Sequence, residues 1–511
     1  MRLSLACLLG LVAALGMLPG PRVLSAQEGR LTNPAPDLPR GTYLPPNWLA
    51  DDQFLRWPYP PGDVAYADLD GFRIKALVNE VTAISRRSRD DGHQYWGRIA
   101  GTEYERITNE WTAAHFRRIG LEQVRIQEFD LPPQWFPTSW EVAVSGGGRT
   151  TRLATAFPLF NSVGTNGAAT LEPVWVGMGT GADFADRQVA GKAAVLYGFP
   201  NPGGRGNTAL TLGALRRAEE AGAAAILLIV GFPGNVVNQP QGGATTPPAT
   251  VPVIMLGDQD GRAIRELIER RESPTVRIRL ATETRTGLKT ANVWGILPGA
   301  TDENVALMAH ADAFFEGAMD NASGMATLVA LAEHYAKVPR AQRRRTMTFF
   351  TTFAHHSPSG EQAGIRWVHH NMQEMWAKTA LLINLEHTAQ VATYLIGEAF
   401  ITSNHVSARR WYVGGSDRLR DLVLKVFQEY GIALYSQAEG RPGGELSHVY
   451  THAPSVHIID HTVYHTDMDT LAAVPAYGLE QSARAFAKII DQVNALDLRD
   501  LRGGPVTVTS R

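Results

Sequence analysis

A single cysteine, Cys7, stands in 511 residues, inside the opening stretch MRLSLACLLGLVAALGMLPGPRVLSAQEG. The rest of the chain has no thiol, so no disulfide framework is available and any metal must be held by His, Asp and Glu. Net charge is nearly absent too, at a formal -2. Nucleic acid and anionic membrane surfaces, which call for a basic face, are therefore not expected as partners. Long apolar runs are also missing. The opening run follows Arg2, is broken by Gly and Pro, and ends in small residues at Ala26. It reads as a secretory signal over residues 1–26, too short to span a bilayer, and the expected location is secreted or periplasmic.

What is present is a large apolar fraction, 44%, enough to bury a sizeable core in two domains or in one with an insertion. Residues 27–65 are rich in Pro and aromatics and read as an extended arm. Helical spacing runs over Phe72 to Arg87 and Thr102 to Ile119, with Gly120 as a stop and a strand at Gln123 to Phe129. From Val142 to Arg285 the texture changes. Strands at Ala193–Gly198, Ala224–Val230 and Val251–Leu256 alternate with Gly-rich loops, and helices fall at Leu210–Ala221 and Arg262–Arg270. This region has no His, so it reads as an inserted β-rich unit that supplies no ligand and whose removal leaves metal binding largely intact.

From Asn292 onward the rhythm is strand and helix: strands at Val305, Thr346, Ala380 and Ser455, helices at Ala322, Asp417 and Tyr477. The fold class is α/β, a mixed, largely parallel sheet flanked by helices. Thirteen of the fifteen histidines lie after residue 300, a skew that packing does not explain, since His is not a favoured core residue. Each strand ends in candidate ligands: His310 and Asp312, His355 and His356, Glu386 and His387, then His465 near Asp467 and Asp469. In open α/β sheets chemistry collects where strands end, and imidazoles with carboxylates suit a divalent metal such as zinc. At VALMAHADAFFEGAMDNASG two readings stand side by side: a metal centre, or a His310–Asp312 hydrogen bond with Asp320 merely capping a helix. His334, His369 and His370 read as solvated helix residues.

HADA, GAMDNASG and YHTDMDT resemble the secreted co-catalytic zinc exopeptidases of metallopeptidase family twenty-eight, which include bacterial leucyl aminopeptidases, aminopeptidase Y and carboxypeptidase Q. GTEYERITNEWTAAHFRRIGLEQVRIQEF is similar to the family's opening helix and strand, and AGKAAVL with AEEAGAAAILLI to its protease-associated insert. The resemblance implies residues 66–141 and 286–500 as catalytic domain, residues 142–285 as insert, and a peptide substrate. It also implies one or two zinc ions held by His310, Asp320 (bridging), His356, Glu386 and His465, with Asp312 orienting His310.

One anchor departs. The family places two glutamates after the strand RTMTFFTTFA, the first a general base and the second a ligand. A gapless register puts His355 and His356 there, whereas a shifted one uses Gly360-Glu361-Gln362. The gapless register keeps ligands at the strand end, so His355 takes the place of the base, and Glu316 and Glu361 are the nearby carboxylates able to replace it. The expected function is a metallopeptidase, with a catalytically silent binding protein as the alternative.

Overall fold

Asp70 starts the first long helix, Gly71–Asp90, by accepting the Arg73 N–H at 2.9 Å. The computed structural model describes residues 47–199, 208–211, 213–232, 234–239, 249–396, 399–437, 440–460 and 462–503. The expected signal at 1–26 and the first part of the arm lie outside these residues. The described part of the arm lies against the C-terminal helix Ala476–Asn494: Asp51 accepts the Ala476 N–H at 2.7 Å, and Asp63 pairs with Lys488 at 3.0 Å. The second helix, Glu103–Ile119, stops at Gly120, whose φ of 89° places it in the left-handed region that Gly tolerates.

The central sheet has eight strands, in the order Glu122–Asp130, Lys289–Leu297, Arg345–Thr352, Thr301–His310, Thr379–Leu385, Ser455–Ile459, Arg409–Gly414 and Leu434–Gln437. The four middle strands, from Arg345–Thr352 to Ser455–Ile459, run parallel. They are near-continuous apolar runs because both sheet faces are covered. Alternation divides them: Val305, Leu307 and Ala309 enter the main core with the helices Gly71–Asp90, Gly324–Ala336 and Ala476–Asn494, while Ala306 and Met308 face Trp294, Trp376 and Leu446 on the other side. All four middle strands thus end on one edge of the sheet. Among the described residues no helix is long and apolar enough to cross a membrane.

Residues 134–285 build two further sheets. The strands Gln134–Gly146 and Thr275–Arg285 pair along their length, from Thr275 opposite Ser145 to Arg285 opposite Gln134. The β-rich segment therefore starts at Gln134, earlier than the change of texture at Val142, which falls inside a strand. A five-stranded sheet carries Ala193–Gly198, Ala225–Val230 and Val253–Leu256 in parallel register. The helix expected over Leu210–Ala221 is in two pieces, Thr208–Thr211 and Ala214–Glu220, since Gly213 takes a φ of 70° that a continuous helix cannot hold. The helix after Leu256 starts at Asp258, ahead of the expected Arg262, with Asp258 and Asp260 in its first turn.

Candidate metal centre

Asp320 does not cap a helix. The turn Ala318–Ser323 has non-helical backbone at Asp320 (φ -111°, ψ 88°) and Asn321, and the regular helix starts at Gly324. A Cβ at Gly324 would lie 2.1 Å from the Leu385 carbonyl oxygen, so only Gly lets this helix approach the neighbouring strand end. Asn321 ties the turn to two strands: its amide donates to the carbonyls of His310 (3.2 Å) and Leu385 (2.9 Å), and its oxygen accepts from Gly324 N and His387 N, both at 3.2 Å. Asp469 holds the turn from below, accepting the Met319 N–H at 2.6 Å and the Asp320 N–H at 3.0 Å. Burial pushes the Asp469 carboxyl up to about 7, with the Asp320 charge adding to it and the two backbone donors opposing.

The Asp320 carboxylate stands between four imidazoles. Its Oδ1 lies 3.0 Å from His310 Nε2 and 3.0 Å from His387 Nε2. Its Oδ2 lies 3.1 Å from His465 Nε2 and 3.5 Å from His356 Nε2. Burial opposes the charge on Asp320, yet His356 and His387 outweigh it and hold the carboxyl well below the usual range. Two ligand-like triads result, His310–Asp320–His387 and Asp320–His356–His465, and a third joins His310, His355 and His356. Among the described residues, His310 Nε2, both Asp320 oxygens, both His356 nitrogens and His465 Nε2 are buried without a hydrogen-bond partner. Buried polar atoms are normally paired, so these fit a cation. Imidazole and carboxylate donors in groups of three suit zinc and similar dications.

The geometry rearranges some of the expected roles. His310, Asp320, His356 and His465 come together. Glu386 does not join a triad among the described residues; its Oε1 is 3.9 Å from His310 Nε2, and His387 stands at Asp320 instead. The strand ends at Leu385, and His387 has a φ of 51°, so the chain leaves strand alternation directly after Glu386. Asp312 lies beside His310 Nδ1 with its backbone carbonyl at 3.2 Å and its Oδ1 at 3.6 Å, while its Oδ2 accepts the His356 N–H at 2.8 Å. His355 and His356 both lie at the centre, with ring centroids 4.5 and 5.0 Å from that of His310, as the gapless register requires. Glu361 is exposed and paired with Arg366 and with His370 at 3.1 Å. Glu316 is held by Arg86 at 2.8 Å and by Leu471 N at 3.0 Å, so neither acid faces His355. His334 bonds Asp68, and His369 bonds His452, both at 2.8 Å.

Residues of the 134–285 segment give no ligand side chain, but their backbone grips one. His465 Nδ1 bonds the Gln239 carbonyl at 2.8 Å, and Gln239 N donates to the His465 carbonyl at 2.9 Å. Asp467 N donates to Val237 O at 3.1 Å, and Val237 N to Asp467 Oδ1 at 3.1 Å. A partner on the far nitrogen fixes the tautomer and orientation of a ligating His. These contacts set a proposal against the expectation that metal binding is independent of this segment: the segment supports His465. Gln239→Pro, which removes the N–H held by the His465 carbonyl and so loosens the Gln239 carbonyl on Nδ1, should weaken metal affinity by up to roughly 10-fold in a chelator competition. An unchanged affinity would show that the clamp is idle.

Residues 292–490 match the family model described as Peptidase family M28. No curated protein matches the chain. Among solved structures, the chain is similar to a Peptidase M28 precursor from Shewanella amazonensis SB2B, at 18% identity and a TM-score of 0.66 over 86% of this chain and 97% of that one. It is similar to the zinc aminopeptidase BSAP from Bacillus subtilis, at 18% identity and a TM-score of 0.59 over 85% and 98%. An aminopeptidase from Aneurinibacillus sp. strain AM-1 gives 18% identity and a TM-score of 0.55 over 90% and 98%. The segment that carries every triad of the metal centre thus lies within the match to Peptidase family M28, the family that HADA, GAMDNASG and YHTDMDT resemble.

Proposed function

We propose that this protein is a secreted, zinc-dependent exopeptidase that hydrolyses a terminal peptide bond with an activated water. One observation carries the reading: a single buried carboxylate, Asp320, placed between two pairs of imidazoles. In this reading His310, Asp320 and His387 hold one ion, and Asp320, His356 and His465 hold a second. Zinc, when bound, polarises the scissile carbonyl and lowers the pKa of water. The protein's part is placement and proton handling. Asp320 supplies the negative charge common to both triads and fixes their separation. Asp312 holds the main chain at His356, and Asp469 holds the main chain at Asp320. His355 occupies the position of the base, where a neutral imidazole accepts the water proton and returns it to the leaving nitrogen. Phe314, with its ring centroid 5.0 Å from that of His465, and Tyr464, stacked on His465 at 3.6 Å, make an apolar wall that excludes water beside the reacting groups.

The exopeptidase assignment draws on the aminopeptidases among the similar structures. The assignment of residues from about 134 to 285 as a protease-associated insert draws on the core that Leu159, Val176, Leu196, Leu228 and Met255 build within that segment, and secretion on the opening apolar stretch. A catalytically silent binding protein is the second reading, favoured by the replacement of the family's glutamate pair with His355 and His356. The test is metal content per chain together with hydrolysis of a peptide library having free or blocked termini. Expected are two bound ions and turnover of substrates with a free terminus, lost on chelation and restored by zinc. Absence of turnover with both ions bound would decide for the silent protein.

A further inference from the structure

A second buried acid faces the centre from a Gly-rich loop. Glu445 precedes the short helix Leu446–Val449 and has no exposed surface. Its Oε2 accepts from Thr352 Oγ1, at the end of the strand that leads to His355. Its Oε1 lies 3.5 Å from His355 Nδ1 and has no hydrogen-bond partner among the described residues. Its backbone N–H donates to Glu386 Oε2 at 3.2 Å, and Asn384 Nδ2 donates to that same oxygen at 2.7 Å. The Glu445 carboxylate is therefore anchored at one oxygen and by its main chain, with the other oxygen aimed at His355. His355 itself lies in one of the triads, within ligand-like reach of His310 and His356, and its ring stacks on that of His310.

A carboxylate buried without full pairing is costly, and a structural acid could have been satisfied by ordinary donors. An imidazole has two distinct nitrogens, and the hydrogen bond at one decides what the other can do. With Nδ1 turned to Glu445, Nε2 is the nitrogen left for another partner.

We propose that Glu445 is a positioning residue for His355. Its Oε1, 3.5 Å from Nδ1, takes that side of the ring, which fixes the ring orientation and leaves Nε2 as the acceptor, so that the pair stands in for a carboxylate base. The proposal rests on the reading of His355 as the base. In the step, a water O–H bond breaks and its proton passes to His355 Nε2, while the oxygen electron pair forms the bond to the scissile carbonyl carbon. When the C–N bond breaks, the Nε2 proton passes to the leaving nitrogen. Glu445 stays at Nδ1 throughout and ends unchanged, offsetting the charge of the transient imidazolium.

The test uses the full chain loaded with zinc, with Glu445→Gln and Glu445→Asp variants, kinetics on a peptide with a free terminus, and nitrogen-15 NMR of the His355 ring. For Glu445→Gln the expected result is a kcat about 10²-fold lower with KM and metal content unchanged, and partial recovery in Glu445→Asp. In a His355→Ala background the same substitution should add less than about 3-fold, because the two residues act as one unit. The NMR signature expected is Nδ1–H in the wild type, with the tautomer redistributed in Glu445→Gln. An unchanged kcat and tautomer overturn the proposal, as does a loss of bound metal in both variants, which would assign Glu445 to the support of Glu386 and the ligands. A wild type without turnover whose His355 tautomer still depends on Glu445 would sink the peptidase reading and leave the positioning role standing.

Discussion

Replacing Asp320 with Ala should leave less than one metal ion per chain and slow peptide hydrolysis by roughly 10³-fold or more, the several kcal/mol that metal activation supplies. Both oxygens of Asp320 are in use: His310 and His387 meet one, His356 and His465 the other, at 3.0 to 3.5 Å. Without the carboxylate four imidazoles remain around a hole, and two dications there would have no shared anion between them. Asp312 and Glu386 each commit one oxygen elsewhere, Asp312 Oδ2 to His356 N and Glu386 Oε2 to Asn384 and Glu445 N, so neither presents two oxygens as Asp320 does. Asp320→Asn should fail nearly as badly, since an amide presents an oxygen to one triad and an NH2 group to the other. Elemental analysis and steady-state kinetics check both variants. Full metal occupancy in either would mean that the histidines alone build the centre.

The second large effect concerns His355. His355→Ala should lower hydrolysis by about 10² to 10⁴-fold while metal content stays constant, the usual consequence of losing a general base. From sequence alone His355→Glu is expected to preserve or raise activity, because a protonated carboxyl near two cations is neutral whereas an imidazolium is repelled. The structure adds a condition. Glu445 Oε1 lies 3.5 Å from His355 Nδ1, so a new carboxylate would face an existing buried one. Like charges that close disfavour joint ionisation. The gain should therefore appear in the double variant His355→Glu with Glu445→Gln and be blunted in the single one. A single variant that outperforms the double one would show that Glu445 turns away once the imidazole is gone.

The parallel strands and their ligand-bearing ends were legible because each strand is a short apolar run closed by His, Asp or Glu. The helix Gly71–Asp90 was legible from helical spacing, although its ends lie beyond Phe72 and Arg87. Side-chain choice at the strand ends was not. Glu386 was favoured over His387 because the resemblance puts a metal-binding acid at that position; His387, in a left-handed turn, is the residue whose Nε2 meets Asp320, while Glu386 Oε1 stays 3.9 Å from His310. Ala354 and His465 are left-handed as well, at φ 60° and 54°, so the loops around His355 and His465 also depart from plain strand geometry. Asp320 read equally well as a cap because a helix does follow, only four residues later. Glu445 gave no signal at all: it is one acid in a Gly-rich loop, without periodicity or motif, and only its burial beside Thr352 and His355 marks it.

The backbone ladder between Val237–Gln239 and His465–Asp467 makes the metal and the 134–285 segment thermodynamic partners. If ion binding favours the orientation of His465 that this ladder holds, the ion also favours the docked position of the segment. Reciprocity then fixes the converse: any peptide that docks the segment more firmly raises metal affinity by the same factor by which metal raises affinity for that peptide. By the same linkage, a chain stripped of such ions would hold this segment less firmly.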